Sequence, residues 1–147
     1  MGLKEYLTKD HKECDQLFAN FENSLQKKDF ENILKTLDGF TKKTIRHFKI
    51  EEEILFPLFE EKTQNTMGPT QVMRMEHQEI SFYLEELKKL SENLNSNTIH
   101  TMLSITETIV FLLQQHNLKE EQILYTMFER VLDHQDQLLE KISNFSL

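Results

Sequence analysis

Four stretches of the chain carry apolar residues at alternating three- and four-residue spacing, and each stripe is broken by a histidine. The first runs Leu7, His11, Cys14, Phe18, Phe21, Leu25, and the second Ile33, Leu37, Phe40, Thr44, His47, Glu51, Ile54, Leu58. The third runs Met73, His77, Ile80, Leu84, Leu87, and the fourth Met102, Thr106, Ile109, Leu113, His116, Glu120, Ile123, Met127. This period puts every member of a stripe on one face of a helix and marks the inward seam of a bundle. Imidazoles and carboxylates on such a seam cost free energy unless they are paired or bound to something.

The breaks between the stripes are short: "QKKD" (26–29), "TQNTMGP" (63–69) and "SENLNSNT" (91–98). Pro69 suits the first turn of the third helix. Short links make successive helices antiparallel neighbours, so the expected fold is all-α, an up-down-up-down four-helix bundle over a single domain, residues 1–147. A short C-terminal fifth helix is expected in "VLDHQDQLLEKISNF", although no Gly or Pro marks where the fourth helix would stop. The four helices differ too much in sequence to be a recent repeat.

Composition excludes several function classes. The net charge is −8 and no basic cluster exceeds a pair, which argues against a nucleic-acid or anionic-membrane surface. The longest apolar run, Ile109 to Leu113, is far too short to span a bilayer. The first residues lack the apolar core of a signal peptide, and Tyr6 stands where a myristoylation motif wants Ser or Thr. Cys14 is the only cysteine, so no intramolecular disulfide forms, which fits a cytoplasmic location.

The polar interruptions are the informative part. Each helix contributes one seam histidine, and the second and fourth each carry an H-x-x-x-E pair whose side chains share a face one turn apart. Counting outward from each loop places the four histidines within about a turn of one level, roughly 5–6 Å at about 1.5 Å per residue. His11, His47, Glu51, His77, His116 and Glu120 therefore converge. Four imidazoles and two carboxylates in a dry core suit a pair of divalent first-row metals, because a carboxylate can bridge two ions and mixed N/O ligation favours iron or manganese. Zinc accepts the same donors, but a tetrahedral structural site needs no such large set. Six side chains leave coordination positions for solvent, dioxygen or NO.

"HFKIEEEILFP" and "HNLKEEQILYTMFERVL" resemble the two H-x-x-x-E signatures of the hemerythrin-like, HHE cation-binding family. "DH" at 10–11 and "GPTQVMRMEHQEI" at 68–80 resemble its other two helix motifs, so the likeness covers residues 5–133. It implies a non-haem di-iron centre, oxo- or hydroxo-bridged when diferric. His11, His47, His77 and His116 would be terminal ligands, and Glu51 and Glu120 bridging carboxylates. Two features depart from the oxygen carriers of that family. Met73 and Ser81 stand four before and four after His77, so the third helix lacks a second histidine, and the last motif is His116-x-x-x-Glu120 rather than H-x-x-x-x-D. The chain sits closer to the bacterial hemerythrin-like, iron-centre-repair and iron-sensing branches, without the cysteine pair usual in the repair proteins.

The resemblance implies binding or sensing of dioxygen, NO, iron or redox state. The alternative is a di-iron redox enzyme or iron donor, in peroxide or NO chemistry or iron–sulfur cluster repair. Other polar residues read as bystanders. Glu52, Glu53 and Glu121 point off the seams, and Glu76 is read as facing solvent. His100 and His134 read as non-ligands, Cys14 as a small core residue, and Thr44 and Thr106 as back-bonded to their own helices. Phe18, Phe21, Phe40, Phe48, Phe56 and Phe59 read as core, or in part as the wall of a gas channel.

Overall fold

Three glycines and two prolines leave few places for a helix to stop, and the helices are correspondingly long. The computed structural model describes residues 1–147 and holds no strand. Helix α1 spans Leu3–Gln26. Helix α2 (Phe30–Ile50) continues through a π-helical turn, Glu51–Leu55, into α3 (Phe56–Thr63). Helix α4 is Pro69–Ser91, and α5 (Ser96–Lys119) continues through a second π-helical turn, Glu120–Leu124, into α6 (Tyr125–Val131). A separate short helix, α7, covers Gln135–Ser143.

Local chemistry sets the ends. The Asp29 carboxylate accepts from the Asn32 N–H at the start of α2, and Pro69 opens α4. Asn95 and Thr98 form a reciprocal capping box on α5. Gln64 closes α3 in the left-handed region at φ 56°. The fourth helix does not run on into the fifth: Leu132 is extended, and His134 turns the chain at φ 55°. The Arg46 guanidinium then holds α7 in place, donating to the carbonyls of Ile142 (2.9 Å) and Phe145 (3.1 Å) at its C-terminal end.

Helix α1 packs on α2 and on α5 and α6, while α4 packs on α5 and α2, which closes the expected antiparallel four-helix ring. Two apolar clusters fill it. One gathers Leu3, Leu7, Leu55, Phe56, Tyr125 and Phe128 with α7; the other holds Phe18, Phe21, Phe40, Phe48, Ile80 and Leu113 among others. The seam histidines and glutamates lie between them.

The π turns correct part of the seam reading. In each, the amide of the residue after the turn reaches back five positions: Phe56 N–H to the Glu51 carbonyl, and Tyr125 N–H to the Glu120 carbonyl. One additional residue enters the turn, so the faces rotate by one position beyond it. Leu58 and Ile123, expected on the seams, are 38% and 56% exposed, and Met127 is only partly buried. Phe56, Phe59, Tyr125 and Phe128 take their place in the core. Pro57 lacks an N–H and favours such a break in the first rod, but the equivalent Thr126 has its own. Proline is therefore not what the two turns share; both begin at the seam glutamate.

Candidate metal centre

His11 comes from α1, His47 from α2, His77 from α4 and His116 from α5, while Glu51 and Glu120 open the two π turns. All six are brought together, and none is more than 3% exposed. Each imidazole has a carboxylate behind it. The Nδ1–H of His47 donates to Asp10 (2.7 Å), that of His11 to Glu121 (2.7 Å), that of His77 to Glu52 (2.6 Å) and that of His116 to Glu76 (2.8 Å). Such a partner fixes the tautomer and ring orientation and raises the basicity of the other nitrogen. All four Nε2 atoms consequently turn their lone pairs inward.

Inside, these lone pairs face other acceptors. His77 Nε2 and His116 Nε2 are 3.2 Å apart. His11 Nε2 lies 3.1 Å from Glu120 Oε1, His116 Nε2 3.2 Å from the same oxygen, and His77 Nε2 3.1 Å from Glu51 Oε1. Glu51 turns its other oxygen to His47 Nε2, at 3.4 Å. Glu51 Oε1 and Glu120 Oε2 are buried without a hydrogen-bond donor. A buried acceptor left unpaired is costly, and nitrogen and oxygen lone pairs at these distances repel unless a cation lies among them. The donors fall into two groups, Glu51, His77, His116, Glu120 and His11, His47, Glu120, each with ligand atoms within 4.8 Å of one another. Glu120 belongs to both. The donor set fits metal.

The protonation tendencies express the same excess of negative charge. Burial disfavours an imidazolium at all four histidines, but the surrounding carboxylates outweigh it and raise their pKa values, that of His116 to about 10. Burial would also raise Asp10, yet His47 and Lys43 hold it down at about 2. The bond to His116 and then Lys119 hold Glu76 at about 2, against its partial burial. In Glu51, His47 overcomes desolvation and keeps the carboxylate ionised. The cage attracts cations, whether protons or metal ions.

A match over residues 3–144 to the hemerythrin HHE cation binding domain decides the relationship. The chain belongs to the hemerythrin family. No curated protein and no solved structure matches it. Domains of this family bind cations, and the buried His/Glu cluster of this chain fits a metal site. No helix is long and apolar enough to cross a membrane.

Several bystander readings are corrected. Glu52 and Glu121 are off the seams but not idle, because each orients a histidine of the adjacent helix. Glu76 faces inward enough to hold His116, and Lys119 bonds its other oxygen. Only Glu53 of the three consecutive glutamates is free of the cluster, and it is exposed. Two residues within the quoted motifs were given no role of their own. Asp10 holds His47 and is itself held by Lys43 at 2.6 Å. Tyr125, fully buried, aims its hydroxyl into the cage. A signal for both existed: "HFKIEEEILF" and "HNLKEEQILY" align without a gap on a shared His, Glu-Glu and Ile-Leu, and "DH" and "EH" each put an acid before a histidine.

Other expectations stand. Thr44 and Thr106 bond back to the carbonyls of Phe40 and Leu103, and His100 and His134 are exposed. Cys14 is buried, with its thiol pushed up to about 11 by desolvation, so it is an unreactive core residue. The six phenylalanines are core. Phe48 also stacks on the His77 ring at 3.9 Å, and Phe56 covers its surroundings at 5.7 Å.

Proposed function

We propose that this is a non-haem di-iron protein of the hemerythrin type that binds or senses a small ligand, dioxygen or NO, or responds to iron or redox state. The observation that carries the reading is the inward convergence of four Nε2 lone pairs on two carboxylates that are short of donors. His11 and His47 would hold one ion and His77 and His116 the other, with Glu51 and Glu120 between them. Mixed imidazole and carboxylate donors suit iron better than a soft-metal or purely structural site. Two adjacent irons, when bound, supply redox-active ions with positions free for a diatomic ligand.

The chain's own residues prepare that chemistry. Asp10, Glu52, Glu76 and Glu121 hold the ring tautomers, so each imidazole offers a lone pair without rearranging. Phe48 and Phe56 exclude water from the His77 side. A cavity with room for little more than one water-sized molecule lies beside His11 and His47, lined by Cys14, Thr44, Phe48 and Leu113. That size leaves no room for an organic substrate.

Metal analysis of protein made in iron-replete medium tests the reading. About two irons per chain are expected for a two-metal carboxylate bundle; zinc in their place, or less than one iron per chain, overturns it. Exposing the ferrous protein to air then separates modes of action. Rapid one-way oxidation is expected, which supports redox chemistry or sensing by oxidation, whereas reversible uptake supports carriage or sensing by binding.

A further inference from the structure

Tyr125 is the one polar residue inside the cage that is neither on a seam nor among the six expected ligands. Its hydroxyl is fully buried and has four close neighbours: His11 Nε2 at 3.0 Å, His47 Nε2 at 3.0 Å, Glu120 Oε1 at 3.0 Å and Glu51 Oε2 at 2.7 Å. A phenol has one proton to donate. With His11 and His47 in the Nδ1–H tautomer that metal binding needs, it can satisfy one of these four acceptors, which leaves its oxygen in contact with three further lone pairs. In that protonation state a purely hydrogen-bonding role would be repulsive.

The spacing has a simpler origin. Around a six-coordinate ion with bonds of about 2.1 Å, neighbouring donors lie about 3.0 Å apart and opposite donors about 4.2 Å apart. Tyr125 Oη stands at the neighbouring distance from both imidazoles and one Glu120 oxygen, and slightly closer to Glu51. His11 Nε2 and Glu120 Oε1 are also neighbours at 3.1 Å, while His47 Nε2 and Glu120 Oε1, at 4.0 Å, are spaced as opposite donors.

We infer that Tyr125 is a seventh protein ligand, a phenolate donor to the metal ion held by His11 and His47. The inference rests on the di-iron reading above. On loading, the Tyr125 phenol would release its O–H proton to solvent and its oxygen would bind the ion, with no electron transferred. A hard anionic oxygen favours the ferric over the ferrous state, which would bias this half of the centre toward one-way oxidation.

The test uses ferric protein, wild type and Tyr125→Phe, with Tyr6→Phe and Tyr83→Phe as controls, each assayed for bound iron. Wild type and both controls should show a visible phenolate-to-iron charge-transfer band, with tyrosinate modes in the resonance Raman spectrum that shift when ring-deuterated tyrosine is incorporated. Tyr125→Phe should retain iron and lose both signals. Should that variant fail to fold, the Raman spectrum of the wild type still decides. Iron bound at full stoichiometry without tyrosinate modes, or a band that survives Tyr125→Phe, overturns the inference while sparing the di-iron reading. Failure to bind iron at all overturns both.

Discussion

Phe56 and Tyr125 hold the same place in two equivalent halves of the molecule. Each is the first residue after a π turn that begins with a seam glutamate, and each is preceded by the same Ile-Leu pair. The halves match behind the metal-facing residues too. Asp10 precedes His11 and reaches across to His47, while Glu76 precedes His77 and reaches across to His116. Glu121 backs His11 and Glu52 backs His77. A lysine supports one carboxylate in each half, Lys43 at Asp10 and Lys119 at Glu76. Against this near-symmetry, the single hydroxyl on Tyr125 makes one half polar at its centre. The other half is closed by aromatic carbon, with Phe48 and Phe56 against His77. The scaffold supplies two similar seats, and what covers each seat makes them chemically different.

Breaking what the halves share should have the largest effect. Glu120→Ala and Glu51→Ala each remove a carboxylate that touches both donor groups, and each should lower metal affinity by roughly 100-fold or more. Titration of metal-free protein checks this, with Glu53→Ala as the control that binds normally; equal losses in all three would mean the carboxylates are misassigned. Phe48→Ala removes a wall that stacks on His77 and also lines the cavity beside His11 and His47. It should cost about 3–5 kcal/mol as a large-to-small core change, read from the denaturant midpoint. Asp10→Asn and Glu76→Gln disturb one imidazole each. Both should weaken metal binding by roughly 10–100-fold, and each should perturb its own half, His47 or His116. Cys14→Ala should have the smallest effect, about 1 kcal/mol in stability with unchanged iron content and spectrum.

The bundle and the six inward residues were legible because one rule, the 3.6-residue period, governs both apolar burial and the approach of polar side chains to the core. His47 and Glu51, or His116 and Glu120, lie within a single regular helix up to the point where the π turn begins. From the π turns onward the same rule fails by one residue, although Ile54 in the first of them keeps its buried place. It put Ile123 inside and left Tyr125 off the stripe, whereas the five-residue hydrogen bond reverses them. The carboxylates behind the histidines were hidden for another reason. Glu52 and Glu121 are partly exposed and project sideways to a neighbouring helix, so only interhelical packing reveals their partners. Glu76, adjacent to its own histidine, serves the histidine of another helix. Periodicity within one helix carries no information about such crossed pairs.

Anomalous diffraction at the iron edge from crystals of the iron-loaded protein tests the central claim most directly. Two peaks are predicted, one flanked by His11 and His47 and the other by His77 and His116, with Glu51 and Glu120 between them. A single peak, or iron anywhere outside this cage, would contradict the account.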